Sequence, residues 1–145
     1  MKTWLKILLA AFIVGIIGIA LIYIFIYNKP HPNYEKMVPQ YTLNAQELYD
    51  SYKSNKTSAE QKYNGKLIEI KGKLGHVETH DSITIAVFVF SQGDFGDEGI
   101  RCTLIPKFNE DAKKLVPEGI IRIKGYCEGF SDSDVILEQC SIIYQ

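Results

Sequence analysis

The 145 residues balance 16 Lys plus Arg against 17 Asp plus Glu, for a formal charge of -1, with 46% hydrophobic residues, 11 Gly, 5 Pro and 3 Cys. That composition excludes a disordered chain, a collagen-like repeat and a disulfide-dense scaffold. The balance is a sum of unlike parts: residues 1–29 hold Lys2, Lys6 and Lys29 with no acid, whereas residues 30–145 hold 13 bases against 17 acids.

Ile7 to Tyr27 is a run of 21 residues without a charge, an amide side chain, a Ser or a Pro, interrupted only by Gly15 and Gly18. As a helix it spans roughly 30 Å, the thickness of a bilayer's hydrocarbon. The run is longer than the apolar core of a secretory signal, and its exit through Tyr23, Phe25 and Tyr27 offers no small-residue cleavage site. No Cys follows it for lipid modification. Trp4 at one end and Tyr23 and Tyr27 at the other suit headgroup regions, and Lys2 and Lys6 favour an N-terminus (residues 1–6) kept in the cytoplasm. The span 7–27 is therefore read as an uncleaved anchor in the cell's inner membrane, with the C-terminal domain outside the cytoplasm. Ala11, Gly15 and Gly18 share one helix face on which a second helix could approach, as in a homodimer.

Residues 28–41 hold Pro30, Pro32 and Pro39, which disfavour helix and strand, and they are expected to form an extended stalk. The domain follows over 42–145. Asn44 and Glu47 are spaced as a capping box ahead of Ala45, Leu48, Tyr49 and Tyr52 at helical period. Thr57 and Glu60 repeat that spacing ahead of a short helix bearing Ala59 and Tyr63, ended by Asn64 and Gly65. Beyond Gly65 the period changes to two, and five strands are predicted: 67–74, 82–90, 99–105, 120–127 and 135–143. A short helix over 106–115 separates the third from the fourth. Leu67–Gly72 and Ile120–Gly125 share the pattern apolar, Ile, charged, Ile, Lys, Gly, so a bulge or bend is expected at Gly72 and Gly125. Three strands, a helix and two strands describe a five-stranded Greek-key barrel of the OB type, preceded by helices and by the transmembrane segment.

The chain resembles the tRNA_anti-like proteins, OB-fold domains that follow a signal or membrane anchor in Bacteroidota and other bacteria. The residues that carry the resemblance are Ala45, Leu48 and Tyr52; Ala59, Tyr63, Gly65 and Lys66; Gly72; Cys102; Gly125, Cys127 and Gly129; and Val135, Leu137 and Cys140. It covers about residues 42–145 and implies fold more than activity. The family takes its name from the anticodon-binding OB domain of aminoacyl-tRNA synthetases.

Candidate sites follow from that frame. Lys71, Lys73, Arg122 and Lys124 fall on the outer faces of two neighbouring strands and would form a basic patch, while Phe88 and Phe90 could stack bases. Against nucleic acid stand the net acidity of the domain and Glu128, Asp132 and Asp134 in the loop that normally borders an OB cleft. Phe88 and Phe90 also suit burial under the first helix. His76, Glu78 and His80 alternate onto one side and make a weak metal set, which a carboxylate such as Asp132 would have to complete. Cys102, Cys127 and Cys140 are either buried thiols or, in an oxidising compartment, one bridge with three alternative pairings. No nucleophile elbow, phosphate loop, His-Glu-x-x-His or Cys-x-x-Cys is present, so neither catalysis nor a cofactor is expected. The leading reading is an anchored OB module that binds a protein partner or an envelope saccharide. Its alternatives are single-strand nucleic-acid binding and a structural role in a membrane complex through the Ala11, Gly15, Gly18 face.

Overall fold

The computed structural model describes residues 2–27 and 32–144 and divides into two units, one ending at Pro32 and one starting at Asn33. The first unit is helix α1, Thr3–Tyr27, whose 25 residues bury none of their side chains. Its length and apolarity suffice to cross a membrane. It begins four residues ahead of the predicted span, because Thr3 to Lys6 continue the same backbone without a breaker.

The second unit is mainly β. In chain order it contains β1 (Tyr41–Asn44), α2 (Ala45–Ser54), α3 (Lys56–Tyr63), β2 (Leu67–Lys73), β3 (His76–His80), β4 (Ile83–Gly93), β5 (Gly96–Leu104), a 3₁₀ turn with α4 (Asn109–Ala112), β6 (Ile120–Ser131) and β7 (Asp134–Ile143). The strands form a single sheet in the order β1-β2-β6-β7-β5-β4-β3. The β1–β2 and β5–β7 pairs are parallel and the others antiparallel.

Seven strands thus stand where five were predicted, for two reasons. Tyr41 and Leu43 alternate inward on a stretch too short for its period to register, and they pair with Ile68 and Ile70. His76–His80 is polar enough to read as a loop, yet it pairs residue for residue with β4. β2, which only the short β1 flanks on its outer side, and the edge strand β3 are joined through Leu74 and Gly75. Leu74 N–H donates to the Gly119 carbonyl at 2.9 Å, and Gly75 N–H donates to the Val87 carbonyl at 2.8 Å. The junction therefore touches the β6 side and the β4 side at once and draws the two ends of the sheet together.

The bend falls at Gly75 and not at Gly72, which pairs regularly with Ile121. A methyl on Gly75 would lie 2.7 Å from Val89 Cγ2, so the crossing strands admit no side chain there. Gly72 is required for another close approach: a methyl there would lie 2.7 Å from the Ala45 Cβ and 3.3 Å from the Phe88 ring. At Gly125 the predicted bulge is present, between Lys124 and Tyr126.

Helix α2 lays Ala45, Leu48, Tyr49 and Tyr52 on the sheet, and α3 adds Ala59 and Tyr63. These meet Ile68, Ile70, Phe88, Ile100, Cys102, Ile123, Val135 and Leu137 in one core. Neither predicted capping box forms. Asn44 makes no side-chain cap bond, and α3 is capped by Asn55, whose side chain accepts from Ser58 N–H at 3.1 Å. Asn55 wins because it directly precedes the helix, where its carbonyl oxygen reaches the third amide of the first turn.

The predicted stalk is also revised. Residues 28–31 lie outside the described residues, but Asn33–Gln40 belongs to the domain. Tyr34 stacks on Tyr126 at 5.4 Å, and Gln40 exchanges bonds with Leu67 through its backbone N–H and its side chain. Lys124 Nζ, on a side chain only 7% exposed overall, donates to the Glu35 and Met37 carbonyls at 2.8 Å each. Proline removed the strand signal without removing the contacts.

Candidate functional site

Arg101, on β5, organises the surface at the end of the domain where the β4–β5 and β6–β7 hairpins meet β3. Its Nη1 donates to Glu78 Oε2 at 2.8 Å and its Nε donates to Asp134 Oδ2 at 3.1 Å. Asp134 Oδ1 in turn accepts from the Gly99 N–H at 2.8 Å, which ties β7 to β5. His76 Nε2 lies 3.0 Å from Glu78 Oε1. Hydrogen bonding from His76, reinforced by Arg101 against the opposing effect of burial, holds the Glu78 carboxyl below its ordinary range. Burial opposes the charge on Arg101, and its two carboxylate partners more than offset that, raising its pKa.

Around this arginine the domain opens a cleft of about 760 Å³ whose lining includes six carboxylates, from Glu78, Asp94, Asp97, Glu98, Asp132 and Asp134, against Arg101 and His76. Glu98 is held by Lys53 Nζ at 3.1 Å and by the Tyr49 hydroxyl at 3.2 Å. Asp97 accepts from Gln92 at 2.9 Å. Asp94 and Asp132 have no protein partner among the described residues, and Asp132 occupies the left-handed region at the β6–β7 turn (φ 52°). Phe95, at the tip of the β4–β5 hairpin, is wholly exposed beside them. The cleft thus offers unpaired negative charge, hydrogen-bond acceptors and one aromatic face.

The predicted basic patch is largely consumed by the fold. Lys73 pairs with Glu118, Arg122 with the buried Glu69 through Nε at 2.8 Å, and Lys124 with the two carbonyls described above. Among the described residues only Lys71 of the four has neither an ion-pair nor a hydrogen-bond partner for its side chain. Phe88 is fully buried and Phe90 packs against Tyr49 at 5.4 Å, so both rings lie under α2. His76, Glu78 and His80 do share one side, His80 at 3.9 Å from Glu78, but Glu78 is already held by Arg101. No group of three metal-ligating side chains is assembled among the described residues.

Cys102, Cys127 and Cys140 are unpaired and buried. Burial pushes the thiols of Cys127 and Cys140 up, away from the reactive thiolate. Cys127 Sγ lies 3.3 Å from the Tyr52 hydroxyl, which also donates to Asn64 Oδ1 at 2.5 Å. Burial raises the pKa of Tyr52 well above its ordinary value, so it acts here as a neutral donor. On α1, a methyl added at Gly15 or Gly18 would meet nothing within 4 Å beyond the helix's own backbone.

Of the cleft's residues, the sequence singled out Asp132 and Asp134, with His76 and Glu78 only as part of a metal set, and missed Arg101, Asp94, Phe95, Asp97 and Glu98. The dipeptide Asp94–Phe95 between two strands, an aromatic where turn chemistry favours small polar residues, was the available signal.

A family model described as tRNA_anti-like matches residues 1–142. Among solved structures, a candidate nucleic acid-binding lipoprotein from Klebsiella pneumoniae subsp. pneumoniae MGH 78578 has a TM-score of 0.54 at 14% identity, covering 80% of this chain and 100% of its own. A candidate aspartyl-tRNA synthetase from Leishmania major Friedlin has a TM-score of 0.48 at 9% identity, covering 72% of this chain and 21% of its own. No curated protein sequence matches the chain.

Proposed function

The chain belongs to the tRNA_anti-like family and has an OB-like fold, and from that premise we propose that it is a non-catalytic binding module, anchored by α1 in the inner membrane, that takes a cationic segment of a protein partner outside the cytoplasm. With β2 and β3 counted as one strand interrupted at Leu74–Gly75, and β1 set aside, the sheet reduces to the five strands of an OB barrel. Support for the anchor comes from the 25-residue helix α1, apolar from Ile7 to its end. Support for the orientation comes from Lys2 and Lys6 without a neighbouring acid.

The observation that carries the ligand class is the cleft itself, with six carboxylates and a single guanidinium that is already paired. A negative potential concentrated in a concave site attracts Lys and Arg and repels phosphate. Phe95 favours a second ligand for the same cleft, an envelope saccharide, whose ring could stack on the exposed aromatic face and whose hydroxyls could donate to Asp94 and Asp132.

Nucleic acid is the rival, and it is the ligand in the name of the Klebsiella neighbour. It would need a basic face of which Arg122 and Lys124 are held by part-buried contacts within the domain. The test is a photoreactive phenylalanine analogue in place of Phe95, activated in intact cells, with a topology reporter after Gln145. Protein or glycan adducts with the reporter outside the cytoplasm are expected. RNA adducts abolished by Lys71→Glu, or a cytoplasmic reporter, would overturn the proposal.

A further inference from the structure

The end of the domain away from the acidic cleft carries a different surface. β6 begins there at Ile120 and reaches the cleft end at Ser131, and β7 returns from Asp134 to Ile143. An open groove of about 640 Å³ lies at the Ile120 end, lined by Leu115, Ile120, Ile121, Ile143 and Tyr144, with Lys71 and Arg122 beside them. Ile120 is 63% exposed, Tyr144 62%, and Val116, next to Leu115, 70%. A contiguous apolar patch on a small domain marks a surface meant to be covered.

Charge is segregated along the same axis. Lys71, Lys73, Lys113, Lys114 and Arg122 stand near this end against Glu69, Glu110, Asp111 and Glu118. The rest of residues 30–145 is left with eight bases to thirteen acids. The apolar end is thus faintly basic while the remainder of the domain, the cleft above all, is acidic.

We infer that the Ile120–Tyr144 end is a docking surface for a lipid bilayer bearing anionic headgroups. Val116, Ile120 and Tyr144 enter the boundary between headgroups and acyl chains, and the unpartnered Lys71 meets the phosphates together with Lys113 and Lys114, whose solvent-exposed pairs with Glu110 and Asp111 are weak enough to exchange. The inference rests on the reading of α1 as an anchor. Six peptide steps separate Tyr27 from Asn33 and reach at most roughly 20 Å, so weak affinity for the bilayer that holds α1 acts at high effective concentration. An anionic surface also repels the acidic end, which leaves the cleft presented to soluble partners.

The test is hydrogen exchange of the full chain reconstituted in vesicles of phosphatidylcholine alone, or of phosphatidylcholine with phosphatidylglycerol. Exchange over residues 113–119 is expected to slow by about tenfold in the anionic vesicles, the effect of one or two lysines near such a surface. Residues 94–96 of the opposite hairpin exchange alike in both. Ile120→Asp combined with Lys71→Glu removes the difference, and Val116→Asp serves instead if the first variant melts early. Equal exchange in the two lipids, with the protein retained after an alkaline carbonate wash, would overturn the docking surface alone; loss of the protein in that wash would overturn the anchor. Protection that grows with protein density in neutral vesicles would assign the groove to a second copy and likewise overturn the lipid assignment.

Discussion

Replacing Lys124 by Met separates a structural lysine from a ligand-binding one. The ammonium group donates to two main-chain carbonyls, of Glu35 and Met37, each at 2.8 Å. Hydrogen bonds made by a charged donor contribute about 1.5–3 kcal/mol each, and two would give a gross loss of about 3–6 kcal/mol. Part of that is recovered, because a residue only 7% exposed no longer keeps its charge away from water. A net loss of about 2 kcal/mol remains, which for a domain of this size lowers the melting temperature by roughly 8 °C. Thermal unfolding of the full chain in detergent measures it. Hydrogen exchange over residues 33–38 should rise by more than exchange in the core strands. Lys124→Arg should restore part of both. If Lys124→Met melts with the parent chain and leaves exchange over 33–38 unchanged, this segment is not held by the lysine and the revised domain boundary fails.

Three further outcomes follow from the same contacts. Gly72→Val drives methyl groups against Ala45 and the Phe88 ring and should cost about 1–3 kcal/mol in denaturant unfolding, whereas Gly96→Ala, at a site with open space, should be limited to the strain of its positive φ. Tyr52→Phe removes the donor to Asn64 and should cost about 1–2 kcal/mol, with no change in the accessibility of Cys127 to alkylating reagents in the folded state. Because the Glu78 carboxyl is held below its ordinary value of 4.5, its contribution is present above that pH and is lost as the pH falls through the lower folded value. Melting temperatures of the parent and Glu78→Gln should therefore converge in acid and separate toward neutrality; a constant difference across pH would refute the pairing with His76 and Arg101.

The parts of the fold that were legible in the sequence are those whose side chains repeat. The stripe of Ala45, Leu48, Tyr49 and Tyr52 and the alternation in β2, β4, β5, β6 and β7 follow from burial on one face, which leaves a period in the chain. β1 and β3 leave none. Four residues are too few for the first, and the second is His-Val-Glu-Thr-His, whose strand conformation is fixed by its pairing with β4. The same limit governed the sites. Alternation put Lys71, Lys73, Arg122 and Lys124 on the outward positions of their strands but could not supply their partners, nor show that Lys124 is only 7% exposed. Glu35 and Met37 lie 89 and 87 residues from Lys124, and Glu69 lies 53 from Arg122. Acidity of the β6–β7 turn was visible as Asp132 and Asp134. Arg101 entered the site only when β5 paired between β4 and β7, which brought it within reach of Glu78 and Asp134.

Titrating the full chain in neutral vesicles with an oligolysine peptide and with a single-stranded oligonucleotide decides whether the cleft takes cationic and not anionic ligands. Saturable peptide binding that weakens as salt is raised is expected. That binding should be lost in the triple variant Asp94→Asn, Asp97→Asn, Asp132→Asn, which spares the Arg101 pairs. Saturable oligonucleotide binding by the parent chain, unchanged or strengthened in that variant, with no binding of the peptide, would contradict the preference for cations.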